Sequence, residues 1–226
     1  MNIPSAISTS FTIFLKDMRS ELRTRYALNA LIMFVITTLS IILFALGNEN
    51  TSPELLSGVL WIIIFFSTMS GLSRSFVSEE EKGTVMTLHL IAHPSTIYFG
   101  KLFFNLILLG ALNIFTVLLY LLFVSSFTVE NYTIFFITVL LGTLGLGSAS
   151  TIIAAIIAKA NTKGTLYPVL SFPILLPLFL TVINATKLSA EGAAFSDAVS
   201  EFRVLISYFV VVTTISYLLF EFIWKE

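Results

Sequence analysis

Six apolar runs, each long enough to cross a bilayer, divide this chain and decide what it can become. They lie at about 27–47, 55–76, 97–124, 134–158, 165–185 and 204–224. A helix needs about 20 apolar residues to traverse about 30 Å of hydrocarbon, and it satisfies its own backbone polar groups while doing so. Of the 226 residues, 57% are apolar and only 11% are charged, against about 25% charged in an ordinary soluble domain. That is too little charge to clothe a soluble globule, which excludes a soluble enzyme and a disordered regulator. Twelve Lys and Arg against thirteen Asp and Glu leave no basic excess to meet phosphates, so no nucleic acid is expected as a partner. The expected fold is an all-α membrane protein, a single transmembrane domain over residues 1–226.

The first 26 residues are mixed polar and apolar, unlike a cleavable signal, whose apolar core comes within the first 15–30 residues. Lys and Arg are retained on the cytoplasmic side of short loops. With both termini inside, the inner segments hold Lys16, Arg19, Arg23, Arg25, Arg74, Lys82, Lys101, Lys159, Lys163 and Lys225, and the outer ones hold Lys187 and Arg203. That bias predicts an N-in, C-in topology.

Residues 5–25 read as an amphipathic helix lying in the cytoplasmic interface. At about 100° per residue, Phe11, Phe14, Leu15, Met18 and Leu22 share an arc of roughly 100°. Lys16, Arg19 and Arg23 line one flank, within reach of anionic headgroups, and Asp17 and Glu21 line the other. Glu21 has Arg25 four residues on as a partner; Asp17 has no such partner. Two readings stand at this point: a solvated acid, or a protein contact made by the Phe14–Asp17 pair.

The inner loop at 78–94 carries Glu79, Glu80 and Glu81, then Lys82, Gly83, Thr84 and, at its end, Pro94. Acids contribute little to topology. They suit the positive N-terminal end of a short helix, which Pro94 would stop. Such a helix would lie across the membrane surface and meet a cytoplasmic partner; a solvated loop is the alternative. His89 and His93 are four apart, a spacing that could hold a metal or a heme iron. No acid completes a zinc motif there, so packing or surface exposure is the favoured reading and no metal site is expected.

Arg74 and Glu221 sit near the inner ends of their spans, where each snorkels to water or finds a partner. Gly142, Gly145 and Gly147 let a neighbouring helix approach closely, within the chain or across a dimer. Pro168, Pro173 and Pro177 bend the fifth run, as a cavity-lining segment or as plain kinks. The outer segment 186–201 is expected to form short interfacial helices. The chain has no Cys, no G-x-S-x-G elbow and no phosphate-binding loop. It is expected to be non-catalytic and to hydrolyse no ATP itself.

The runs Ile13–Phe34 (IFLKDMRSELRTRYALNALIMF) and Ser73–Pro94 (SRSFVSEEEKGTVMTLHLIAHP) resemble heme exporter protein B, the membrane subunit of an ABC-type complex in bacterial cytochrome c maturation. Gly100–Leu109, Leu140–Ser148 and Tyr167–Leu180 are similar too, so the resemblance covers nearly the whole chain. It implies an ABC-2 exporter architecture, with an interfacial helix, six spans and a re-entrant outer segment between the fifth and sixth. It implies a multi-pass protein of the bacterial inner membrane, working as a dimer with two copies of a separate cytoplasmic ABC ATPase subunit. A heme-handling membrane subunit, a small single-span subunit and a periplasmic heme chaperone are further implied partners. Phe14 and Asp17 match the family's Phe-x-x-Asp motif. Glu79, Glu80, Glu81, Gly83 and Thr84 match its coupling helix, so both sets are expected to contact the ATPase.

The expected function is that of a permease subunit. It would couple ATP hydrolysis on the partner to heme delivery, or to release of the heme-loaded chaperone. No cofactor is expected on the chain itself; heme would be a substrate and ATP would sit on the partner. The spans carry no His, Cys or Met cluster to ligate iron, which tilts the expectation toward release. The alternatives are a generic ABC-2 export permease for a lipid or drug, and a non-transporting membrane scaffold.

Overall fold

A computed structural model describes residues 3–24, 26–46, 51–72, 75–77, 79, 83–159 and 166–225. Its helices are α1 (Ile3–Thr24), α2 (Tyr26–Leu46), α3 (Pro53–Leu72), α4 (Val85–Ile91), α5 (Pro94–Phe123), α6 (Tyr132–Lys159), α7 (Leu166–Ala190) and α8 (Val199–Lys225), with a 3-10 turn at Phe195–Ala198. Six of them, α2, α3, α5, α6, α7 and α8, are long and apolar enough to span a membrane. Every described regular element is helical. The chain is an all-α multi-pass membrane protein.

Helix α6 runs through the middle of the bundle, packed by α5, α7 and α8. Lipid tails are as apolar as Leu, so close van der Waals fit and interhelical hydrogen bonds hold such helices together. The small residues of α6 supply the fit. A Cβ at Gly142 would fall 2.3 Å from the Trp61 ring, one at Gly145 2.8 Å from Leu178, and one at Gly147 2.5 Å from Leu106. All these neighbours belong to the same chain, so the small-residue face serves packing within it. Polar bonds add to this: Asn105 Nδ2 donates to Thr151 Oγ1 (3.0 Å) and Asn113 Nδ2 to Thr143 Oγ1 (2.9 Å), both buried. At the periphery α2 and α8 expose Met33, Ile41, Phe44, Val210 and Leu218, as lipid-facing helices do.

The structure corrects two boundaries. Residues 186–190 extend α7 rather than starting interfacial helices, and among the described residues the connection to α8 holds only the 3-10 turn where a re-entrant segment was implied. Tertiary contacts draw α7 out. Trp61 Nε1 donates to Thr186 Oγ1 at 2.8 Å. The Ser189 carbonyl accepts from the backbone N–H groups of Glu130 and Asn131. Gly192, at φ 73°, then makes the turn. Pro173 and Pro177 lie inside a continuous α7, where the Tyr208 hydroxyl donates to the Ile174 carbonyl (3.0 Å). Neighbouring helices re-satisfy proline-loosened backbone in this way. The Pro168 side chain lies outside the described residues.

The second correction is the start of the third span, which Pro94 opens at 94 rather than about 97; α4 does end before the proline, at Ile91. The proline's missing N–H costs nothing at the first helical position. α4 begins at Val85 with no acid in its first turn; Glu79 lies before it, itself in helical conformation, and Glu80 and Glu81 lie outside the described residues.

Candidate functional site

The basic and far ends of the bundle differ in their charges. The basic end gathers Lys16, Arg19, Arg23, Lys101 and Lys159 among the described residues, and α1 lies across it against α5. At about 100° per residue Phe14 stands at the edge of the apolar stripe of α1: Phe11 and Leu22 stay exposed, while Phe14, with Ile13 and Asp17, is buried and turns toward α5. Phe14 packs edge-on to Phe103, ring centroids 5.0 Å apart. The backbones come close at Gly100, where a Cβ would stand 2.9 Å from the Ser10 carbonyl and from Ile13. Ser10 Oγ donates to the Thr96 carbonyl (3.0 Å). α1 also anchors α2, whose Leu28 N–H donates to Glu21 Oε1 (3.1 Å); the expected Arg25 partner lies outside the described residues.

Asp17 therefore does have a basic partner, on another helix. Lys101 Nζ lies 2.9 Å from Asp17 Oδ2 and 2.9 Å from Glu79 Oε1. Its ammonium also donates to the Ser75 carbonyl at 3.0 Å. Lys16 Nζ stands 2.6 Å from Glu79 Oε1 and 3.3 Å from Asp17 Oδ1. Exposure is 2% for Lys101, 6% for Glu79 and 8% for Asp17; the Lys16 side chain is 44% exposed. The four charges sum to zero, which is the condition for tolerating them out of water. Phe76 adds its ring face, 5.6 Å from Lys101 Nζ.

This geometry sets the protonation states. Burial pushes the Glu79 carboxyl up, but the Lys101 charge, with hydrogen bonds from Lys16, Thr84 and Lys101, outweighs it and brings the group down to about 2. Burial lowers Lys16, while the Glu79 hydrogen bond and the Asp17 and Glu79 charges more than offset it, so its pKa is raised.

Glu79 also closes the inner loop. The Thr84 hydroxyl donates to Glu79 Oε2, and the Thr84 backbone N–H donates to the Glu79 carbonyl (3.0 Å). Gly83, at φ 65°, makes the required left-handed turn. Beyond it α4 buries Leu88 and exposes Met86 (74%) and Leu90 (84%), which are one turn apart on one face.

Of the site residues expected from sequence, Phe14, Asp17, Glu79, Gly83 and Thr84 converge on this end, the first three buried within the chain. Glu80, Glu81 and Arg74 lie outside the described residues. Glu221 is exposed near the end of α8. His93 precedes α5, with Nδ1 2.9 Å from Ser95 Oγ; the His89 side chain lies outside the described residues. Sequence reasoning counted Lys101 only as a topology charge. The available signal was its face: Lys101, Asn105 and Asn113 recur at helical spacing along one side of an apolar run. A groove of about 550 Å³ runs beside the cluster between α1, α5 and α8, lined by residues such as Phe11, Phe99, Phe103 and Tyr217.

A comparison with curated proteins found no match. The sequence model of a family described as CcmB protein matches residues 8–221, from the second turn of α1 to near the end of α8. The chain thus belongs to the CcmB family, heme exporter protein B, and is a membrane component of the heme exporter for cytochrome c maturation.

Proposed function

We propose that this chain is the non-catalytic permease subunit of a bacterial inner-membrane complex, driven by ATP hydrolysis on a separate cytoplasmic subunit. The observation that carries the reading is the basic end itself. α1 and the inner loop are joined there by the ion cluster, and α4 holds Met86 and Leu90 out from the bundle. An apolar pair on a short helix suits docking into a groove of a soluble partner. Closure of the ATPase would push on α4 and, through Glu79, on α1 and α5. The charge balance of the cluster would let those parts move together without stranding an ion. Two copies of the chain and the smaller membrane subunits have the exposed faces of α2 and α8 to lie against.

Release of a heme-loaded periplasmic chaperone fits this build better than passage of heme through the chain. Trp61, Leu178 and Val182 fill the space against α6. A transported ring would have to part them, whereas release needs only a movement passed to the far end.

The test is co-purification with a candidate cytoplasmic ABC ATPase subunit from the same genome. Met86→Asp with Leu90→Asp is expected to abolish the complex while the chain itself stays folded. Full retention of the complex by that variant, or no complex with the unaltered chain, contradicts the reading. An ATPase-dead partner should still permit heme loading of the chaperone and block its release.

A further inference from the structure

We propose that Lys101 is the positioning residue of the basic end, and that the Phe14–Asp17 pair acts inside the chain as a latch, tying α1 and the inner loop to α5 through one ammonium group. An ammonium carries three N–H donors and accepts nothing. Here two N–H groups are donated, to Glu79 Oε1 in the inner loop and to the Ser75 carbonyl after α3. Asp17 Oδ2 on α1 meets the same ammonium as an ion pair rather than an aligned hydrogen bond, with no other partner for that buried oxygen among the described residues. Each lies 2.9–3.0 Å away. At 2% exposure the Lys101 side chain is withdrawn from solvent.

Phe14 supplies the apolar half of the latch. Its ring on Phe103 and the close approach at Gly100 set the height of α1 over α5, which brings Asp17 to the ammonium one turn later. Lys16 joins the same two carboxylates from the solvent side. With Lys101 gone, Lys16 alone would face both acids, and hydrating them would require α1 to lift. Asp17 thus acts through Lys101 and presents no charge to a partner. The consequence for coupling rests on the ATPase reading above; the latch itself does not.

The chain has no Cys, so single thiols can be placed without background. Three reporters would be labelled with a water-soluble maleimide in the purified, otherwise unaltered chain: Ile13→Cys on α1, Val77→Cys beside Glu79, and Ala149→Cys at the bundle centre. All three positions are buried, and slow labelling is expected. Lys101→Met should speed the first two by about tenfold or more, as local opening does, and leave Ala149→Cys slow. Asp17→Asn should free Ile13→Cys alone. Slow labelling at both outer reporters in Lys101→Met, or equal exposure of Ala149→Cys, overturns the latch. If Lys101→Met does not fold, Asp17→Asn decides: exposure of Ile13→Cys alone supports the latch, and exposure of neither or of all three overturns it. Failure of the ATPase to co-purify would sink the proposed function and leave this result standing.

Discussion

The two ends of the bundle handle opposite charges in opposite ways. At the far end Lys187 meets Glu54 at 3.3 Å, with side chains 30% and 69% exposed. At the basic end Lys101, Asp17 and Glu79 are withdrawn from water. An exposed pair contributes about 0–1 kcal/mol. A buried set costs several kcal/mol per ion in desolvation, offset only by close geometry, and breaking it costs roughly 3–5 kcal/mol. Stability is therefore a poor reason for the basic-end cluster. What the cluster provides is a specific arrangement of three segments, which a plain apolar contact would leave free to slide. The far end is joined instead by neutral bonds, such as Trp61 to Thr186 and Asn131 to the Ala193 carbonyl.

Mutations can break or sharpen this contrast. The largest effect is expected at Lys101→Ala, which strands two buried carboxylates: a loss of about 3–5 kcal/mol in detergent unfolding. Gly100→Ala comes next. Its Cβ would meet the Ser10 carbonyl and Ile13, and overpacking of this kind costs about 1–3 kcal/mol. That loss should be accompanied by faster labelling at Ile13→Cys.

Acid tests the same end by another route. Glu79 titrates at about 2 in the folded chain against an ordinary 4.5. Between these values the unfolded chain binds the extra proton, so the contribution is full above about 4.5 and fades as pH falls toward 2. Lys16 has the opposite sense: raised from 10.5, it contributes below that value and fades as pH rises through the folded pKa. The cluster should hold from about pH 5 to 10, and Glu79→Gln should flatten the acid limb of an unfolding-midpoint series. The smallest effect belongs to the far end. Lys187→Ala should move the midpoint by less than about 1 kcal/mol equivalent.

Much of this architecture was legible in the sequence, and the reasons are local. Six spans follow from six apolar runs, because hydrocarbon thickness fixes their length. The N-terminal helix and the small-residue helix α6 follow from periodicity and from glycine. The start of α5 reads a few residues late in the sequence because Pro94 signals a stop for α4, while here it also opens the next helix. Asp17 looked partnerless because helical reasoning searches four residues away, while Lys101 lies on another helix. Lys16 and Glu79 likewise meet across 63 positions. Pairings of that range depend on how α1 lies on α5, which the Gly100 approach determines and no periodicity records. Lys101 was visible as a charge in an apolar run, but its sign was already accounted for by topology, which hid its second role.

The central claim, that the basic end is joined by a specific buried interaction and the far end is not, can be tested with paired double-mutant cycles. Asp17→Asn and Lys101→Met, singly and together, would be compared with Glu54→Gln and Lys187→Met by unfolding midpoint. The prediction is a coupling of about 1.5–3 kcal/mol at Asp17–Lys101 and less than about 0.5 kcal/mol at Glu54–Lys187. Equal coupling at the two ends, or additivity at Asp17–Lys101, would contradict it.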